Sequence, residues 1–472
     1  MNCLLPTGIK GLDYILNGGI PEGNHVIVVG EPGTGKTTLG IQYLYNGALK
    51  NEAGIYITFE ELPSQIYRDM AGFGWDLKKL EEMKLLKVVT ISPEILWREM
   101  DKPSGLFEEI IETINCKRIV IDSLSLFRYL ASDNSEIRKI IYKFKNILSK
   151  HKLTSLILSE QFSFRQKTAF EHFVFDGVIQ LDFREKFMEY KERTIEILKM
   201  RGTKIFEGKH TYRFMHDGLN IIPAYSSVYY RENKRTPVVS TGIPQIDQVL
   251  GGGVPKGSIF LIETDSKAMH DLLIASITSQ RIKKGEKFLF LLPSATNIQE
   301  LYETFLSFDV DLKDNALMNK GMFIEQFNRP IPNDIKSKVV NVSHLENDDY
   351  WTYIKNELAP LIMEDINSSS EWFISYDVNS GIDKRGSQFI KKVFGDLVAL
   401  EKALGVTVFI TCNIEKVDAE IRALLQYNSN GVIQTWYNSK YQYMQVTKSP
   451  LGQLSQPLIV EATSTPPFFR LM

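Results

Sequence analysis

The chain has 472 residues, of which 43% are hydrophobic and 24% charged, and its formal net charge is −2. That length exceeds one ordinary core, so two domains of roughly 200 to 250 residues are expected, and the composition excludes a disordered chain. The near-neutral charge argues against a bulk electrostatic preference for nucleic acid. No apolar run approaches the ~18 residues of a membrane helix, and three scattered cysteines, Cys3, Cys116 and Cys412, form no metal-ligand spacing. The expectation is a soluble, cytoplasmic protein of a reducing compartment, with no membrane association.

The first recognisable stretch is Pro6-Thr7-Gly8-Ile9-Lys10-Gly11-Leu12-Asp13, followed by the turn-rich Gly18-Gly19-Ile20-Pro21-Glu22-Gly23. The β-branched run Val26-Ile27-Val28-Val29 reads as a buried strand, and Thr38 to Leu44 as a helix. Between them, Gly30-Glu31-Pro32-Gly33-Thr34-Gly35-Lys36-Thr37 fits the P-loop pattern G-x-x-x-x-G-K-[ST] in full. Gly33 and Gly35 let backbone amides turn inward around phosphate oxygens, and the helix N-terminus adds its positive end. Lys36 supplies a cation for the β and γ phosphates, and the Thr37 hydroxyl supplies a Mg²⁺ ligand. Gly30, Glu31, Pro32, Gly33, Thr34, Gly35, Lys36, Thr37 and Thr38 are the predicted nucleotide contacts, with ATP and Mg²⁺ as ligands.

Strands and helices then alternate. Gly54 to Phe59 reads as a strand, Pro63 to Phe73 and Glu108 to Ile114 as helices, and Arg118 to Asp122 as a buried strand. Glu136 to Leu148 is amphipathic, and Thr154–Ser159, Phe175–Leu181 and Glu192–Lys199 read as strands. This order predicts an α/β fold, a mostly parallel twisted sheet flanked by helices, with ligands at the carboxyl ends of the strands. Asp122 ends its strand where a second Mg²⁺ anchor is needed. Glu60-Glu61 has two readings that spacing alone does not separate. One carboxylate can polarise an attacking water, or the pair can be a solvated helix start. Phe162 to Phe170 interleaves aromatics with Arg165 and Lys167, a pattern that holds single strands or packs an interface; interface packing is the expected role.

An internal repeat organises the rest. Pro6 through Gly23 recurs as Ser240 through Gly257 without a gap, and Asp176-Gly177-Val178-Ile179-Gln180 recurs as Asn430-Gly431-Val432-Ile433-Gln434. The expected domains are 1–223 and 237–472, joined by a polar linker at 224–236. The gapless offset lays Thr264-Asp265-Ser266-Lys267-Ala268-Met269-His270-Asp271 over the first loop. Its glycines, lysine and hydroxyl ligand are replaced, and Asp271 would repel a triphosphate. Leu292-Pro293-Ser294 stands where the carboxylate pair was, while Asp377 is kept and is expected one position out of line. The second domain is expected to be a non-hydrolysing pseudo-ATPase shell. Phe468 to Met472 is expected to close its core.

Four segments together resemble the KaiC-like branch of the RecA-type ATPases. They are Thr7-Gly8-Ile9 through Gly23, the P-loop, Thr58-Phe59-Glu60-Glu61 and Ile121-Asp122-Ser123-Leu124. The resemblance covers the first unit throughout and the second weakly, implying two tandem RecA-like P-loop domains. It implies that Glu60 and Glu61 are the catalytic carboxylates. It also implies that Lys199-Met200-Arg201-Gly202 matches the family's Lys-x-Arg-Gly segment, whose cations reach the γ-phosphate of a neighbouring subunit. ATP hydrolysis in a homo-oligomeric ring, commonly hexameric, would follow, with nucleotide state controlling a regulatory protein partner. His172-Phe173 stands where autophosphorylating relatives carry a Ser-Thr pair, with Ser163 and Thr168 displaced, so hydrolysis without an autokinase cycle is expected. An active-plus-degenerate doubling also resembles, in organisation alone, the archaeal gas-vesicle regulator of the D type. Two rival readings are a RecA- or RadA-type DNA-handling ATPase and a scaffold that holds ATP without cleaving it.

Overall fold

The computed structural model describes residues 3–100, 102–130, 133–160, 171–186, 190–224, 237–314 and 320–472. The chain divides into two compact units, Met1–Ala224 and Tyr225–Met472. The segment read as a linker, residues 224–236, lies outside the described residues except for Ala224, and the aromatic and basic run 162–170 lies outside them entirely.

The first unit is built on nine strands: β1 His25–Gly30, β2 Gly54–Thr58, β3 Leu86–Thr90, β4 Arg118–Asp122, β5 Thr154–Glu160, β6 Gly177–Lys186, β7 Tyr190–Met200, β8 Lys209–Met215 and β9 Gly218–Ile222. Their order across the sheet is β9-β8-β7-β6-β1-β5-β4-β2-β3. The pairings from β3 through β6 are parallel and those from β6 to β9 antiparallel. Parallel strands need crossover helices, which cover both faces and make the strands apolar throughout. β1 meets that demand with full burial, Val26 and Val28 in the core on one face and Ile27 and Val29 in the core on the other. Helix α1, Lys36–Ala48, follows β1 directly, and α2, Asn134–Lys150, precedes β5. β3, β8 and β9 are short or mixed-polarity strands that hydrophobic periodicity alone does not single out.

The second unit repeats the plan with ten strands: β10 Ile259–Thr264, β11 Lys287–Leu291, β12 Gly321–Glu325, β13 Val339–Asn341, β14 Trp372–Asp377, β15 Thr407–Asn413, β16 Gly431–Asn438, β17 Tyr441–Lys448, β18 Leu458–Ala462 and β19 Phe469–Leu471. They lie in the order β13-β12-β11-β14-β15-β10-β16-β17-β18-β19. Helix α3, Asp271–Lys283, takes the place of α1, and α4, Ser387–Leu404, the place of α2. Phe469 and Leu471 are buried, so the chain end does close this core. The register corrects one expectation. Thr58 pairs with Asp122, and in the second sheet Phe288 pairs with Phe373, which brings Leu292 level with Asp377. Asp377 therefore stands in line with Asp122 and is not shifted.

Each unit buries one guanidinium on one carboxylate. Arg118, at the start of β4, is fully buried; its guanidinium pairs with Glu52 and donates to the Tyr43 carbonyl at 3.2 Å and the Pro6 carbonyl at 2.9 Å. In the second unit Arg281, on α3, donates to Glu286 at 2.9 Å and to the Val254 carbonyl at 3.0 Å. Glu286 repeats Glu52, and Arg281 repeats Gly47, where a Cβ would sit 2.6 Å from Arg118 Cδ. The guanidinium thus comes from a strand in one unit and from a helix in the other. Burying such a pair is favourable only when its remaining donors are also satisfied; the carbonyls take several of them here, and Arg281 Nε is left without a partner.

Candidate nucleotide site

The loop after β1 turns twice through positive φ, at Gly33 (+81°) and Gly35 (+91°), which only glycine adopts without strain. A Cβ on Gly33 would meet nothing within 4 Å, so this residue faces open space. One on Gly35 would strike the Phe214 ring at 2.3 Å. Thr34 ties the loop down, its hydroxyl donating to the Glu31 carbonyl at 2.8 Å while its own carbonyl accepts from Tyr212 Oη at 2.6 Å. β8 therefore braces the loop through Tyr212 and Phe214, two residues apart on one face of the strand. Glu31, Pro32 and Gly33 form the exposed lip, and Thr37 and Thr38 lie half-buried in the first turn of α1.

Lys36 Nζ is curled back onto the loop, donating to the carbonyls of Gly30 at 2.9 Å and Glu31 at 3.1 Å. Burial lowers its pKa, while the nearby Glu160 and Asp122 carboxylates act the other way. Thr37 Oγ1 donates to Asp122 Oδ2 at 2.8 Å, and Tyr56 Oη donates to the same oxygen at 2.5 Å. A hydroxyl and a carboxylate oxygen held together at the end of the sheet form the hard-donor set that Mg²⁺ takes, directly or through water. Burial and the Asp122 carboxylate raise the Tyr56 pKa, so its hydroxyl stays a donor.

Glu60 and Glu61 follow β2, with both backbone amides directed at Thr58 Oγ1, at 3.4 and 3.2 Å. Since Thr58 pairs with Asp122, the acidic pair lies beside the Thr37–Asp122 contact. Burial raises the Glu61 pKa, and Asp122, Asp69 and Glu60 add to the shift. A carboxylate shifted upward in this way is a better proton acceptor than a solvated one.

Lys199 and Arg201 do not join this group. Lys199 pairs with Val178, which pairs with Ile27, so the segment sits at the opposite end of β1 from the loop. Lys199 Nζ donates to the Phe175 carbonyl at 2.7 Å, and Arg201 lies 3.6 Å from Asp176 with most of its side chain exposed. The sheet separates them from their own P-loop. Residues 172 and 173 fall on a short helix, Glu171–Val174, just before β6.

The equivalent loop of the second unit is arranged differently. No residue from Asp265 to His270 takes a positive φ. Asp265 Oδ1 accepts from the amides of Lys267 at 2.9 Å and Ala268 at 2.6 Å, while Oδ2 accepts from the Tyr437 amide at 2.7 Å. These amide bonds lower the Asp265 pKa against the opposing effect of burial. The loop carries its own anion, bound to amides that a phosphate would need. Lys448 occupies the register position of Lys199, and Pro450 that of Arg201.

Tyr56, Tyr212, Phe214 and Glu160 were not singled out by sequence. Their contacts to the loop and to Asp122 span long sequence separations, and only the two-residue spacing of Tyr212 and Phe214 hinted at a shared face. Among the described residues no group of three or more His, Cys, Asp or Glu side chains forms a metal cluster, and no helix is long and apolar enough to cross a membrane.

A family model described as "ATPase: KaiC" matches residues 5–226, and one described as "PAXNEB protein" matches residues 232–301. The circadian clock oscillator protein KaiC of Parathermosynechococcus lividus is 31% identical over 319 residues, 65% of this chain and 58% of that protein. Its counterpart from Prochlorococcus marinus (strain MIT 9313) is 30% identical over 321 residues, 66% of this chain and 64% of that protein. The chain thus spans about three fifths of the length of these curated relatives. A crystal structure of a KaiC-like protein from Pyrococcus horikoshii OT3 matches at 31% identity, covering 47% of this chain and 100% of that one with a TM-score of 0.43.

Proposed function

We propose that the chain is a KaiC-like ATPase of the RecA superfamily, a reading supported by the match of residues 5–226, and that it is a slow, ring-forming ATP hydrolase whose nucleotide state regulates a protein partner. In this reading the amides around Gly33 and Gly35 receive the phosphates of ATP, and Lys36 leaves the Gly30 and Glu31 carbonyls for the β and γ oxygens. Thr37 and Asp122 would hold Mg²⁺, which supplies charge to offset the phosphate oxygens. Glu61, with Glu60 beside it, accepts a proton from the attacking water.

The observation that carries the ring is the placement of Lys199 and Arg201 at the far end of the sheet from their own loop. In a closed head-to-tail ring each subunit offers that end to its neighbour's nucleotide, so the site is completed in trans. Cations delivered there stabilise transition-state charge as an arginine finger does, and hydrolysis depends on assembly. The second unit, with Asp265 filling its loop, is read as a pseudo-ATPase domain that carries the regulatory surface.

The test is complementation. Lys36→Ala and Arg201→Ala proteins, each inactive alone, should recover part of the ATPase activity when mixed in ATP and Mg²⁺. Particle mass is followed in the same samples to detect mixed rings. Mixed rings without recovered phosphate release would refute the shared site. Stimulation of hydrolysis by single-stranded DNA would favour the DNA-handling alternative.

A further inference from the structure

The second unit contains a cavity much larger than the gap in the same layer of the first. It has a volume of about 110 Å³ and lies between β11 and β14 on one side and the helices that cover them on the other, with Leu289, Leu291, Leu358 and Val393 in its apolar wall. The same layer of the first unit, around Ile55 and Ile57, which repeat as Leu289 and Leu291, leaves a gap of only about 10 Å³. A π-helical turn, Ile354–Leu358, forms part of the wall; such turns are concentrated at functional sites.

Two polar side chains in the wall have no counterpart in the first unit. His25 pairs with Ser155 and Ile259 with Val408, so matching the sheets aligns Glu401 with Leu148. The helix ends agree, since the Leu153 amide donates to the Leu148 carbonyl and the Val406 amide to the Glu401 carbonyl, each at 3.3 Å. The same matching, through Arg118↔Thr154 and Phe373↔Thr407, aligns Tyr376 with Ile121. Leu148 and Ile121 are fully buried core residues. The second unit has put a carboxyl and a phenol in their places while keeping them buried, Glu401 with 2% of its surface exposed. Glu401 Oε2 and Tyr376 Oη interact with each other but not in good hydrogen-bond geometry, and neither has another partner in the protein. Buried polar groups in native proteins are almost always well satisfied, so a pair that has only a poorly aligned contact with each other, lining a cavity much larger than the matching gap in the first unit, points to a ligand.

We propose that this cavity binds a small, uncharged, mostly hydrocarbon molecule bearing a single hydroxyl, with the hydroxyl seated between Glu401 and Tyr376. Burial pushes the Glu401 pKa up to about 8, so near neutrality its carboxyl is protonated and donates as well as accepts. The wall is mostly apolar, with Arg385 and Asp377 as its charged members, so a full charge on the ligand is disfavoured over most of its surface. The volume approaches that of engineered cavities that hold a benzene ring, which sets the ligand at about six or seven non-hydrogen atoms. Occupancy would bear on β14, whose last residue Asp377 ends the degenerate nucleotide-site strand, and this couples the cavity to that end of the sheet.

Phenol and toluene match in size and differ in the hydroxyl, so they are the probes. Each is titrated calorimetrically into the full chain, with hydrogen exchange locating the protected segments. Phenol should bind roughly tenfold more tightly than toluene, the worth of one net buried hydrogen bond, and should protect β14 and α4. Glu401→Leu, which installs the first unit's residue, should abolish the preference, and Val393→Phe, which fills the cavity, should abolish binding of both. Equal binding of the two probes, binding of neither, protection elsewhere, or a preference that survives Glu401→Leu would overturn the proposal. If either variant fails to fold, the wild-type comparison with its exchange map decides alone.

Discussion

Glu401 makes a quantitative prediction about the second unit. Its folded pKa of about 8 lies far above the ordinary 4.5, and burial is the main cause. Its charged and titratable neighbours are Tyr376 on β14 and Lys402 beside it on α4. A carboxyl raised in this way stabilises the fold fully below its unfolded pKa. That contribution is lost as pH rises through the folded pKa, because the unfolded chain ionises first. Between about pH 5.5 and about pH 8.5 the loss is on the order of 3 kcal/mol. Glu401→Gln has the same shape but cannot ionise, so its second unit should lack this component. Urea denaturation of wild type and variant at both pH values, with hydrogen exchange resolving β14 and α4, gives the difference. The stability gap in favour of the variant should be small near pH 5.5 and should widen by about 3 kcal/mol at pH 8.5. Parallel pH profiles would show that Glu401 ionises as easily folded as unfolded, and would refute this account.

Three further predictions concern the first unit. Gly35→Ala should lose most nucleotide affinity, because φ of +91° costs an L-residue about 1–2 kcal/mol and its Cβ meets Phe214. Phe214→Ala added to it should restore part of the binding, and no restoration in a fluorescent-nucleotide titration would show that φ alone matters. Tyr56→Phe should cost about 1.5–3 kcal/mol of stability, the range for a hydrogen bond to a charged group, while leaving the Thr37–Asp122 contact in place. Wild-type stability in this variant would remove Tyr56 from the Asp122 cluster. Replacing Glu60 and Glu61 together by Gln should preserve ATP binding and abolish phosphate release; unchanged release would sink the hydrolysis assignment and leave a binding scaffold.

What could be read from the sequence was local or repeated. The P-loop carries its chemistry in eight consecutive residues, and Asp122 is marked by an apolar strand that ends in a carboxylate. The duplication was legible because glycine-rich turns at Gly18-Gly19 and Gly251-Gly252-Gly253 use positive φ and tolerate few replacements. Contacts made across the sheet were not legible. Tyr212 reaches Thr34 from far along the chain, and β3 hides in a short segment with Lys87 as its second residue. The loss of function in the second loop was read from missing glycines and lysine. The folded loop adds a further element, an aspartate seated on the amides, because whether Asp265 turns inward depends on the backbone it lands in. Glu401 was invisible for a similar reason. A glutamate near a helix end ordinarily faces water, and only the register of β15 puts it where Leu148 stands.

The two buried guanidiniums bear on how a doubled chain can change. Genes carrying internal repeats are open to recombination between the copies, which would trade a helix of one half for that of the other. Here such a trade is incompatible with folding. A first unit that received α3 would carry Arg281 and Arg118 together, two cations crowded on the single carboxylate of Glu52. The reciprocal product would hold Gly47 opposite Phe373 and leave Glu286 buried with no cation. Removing one partner of a buried pair costs about 3–5 kcal/mol, a large share of a domain's stability. With the arginine on a strand in one half and on a helix in the other, the two halves cannot exchange these helices without a large loss of stability.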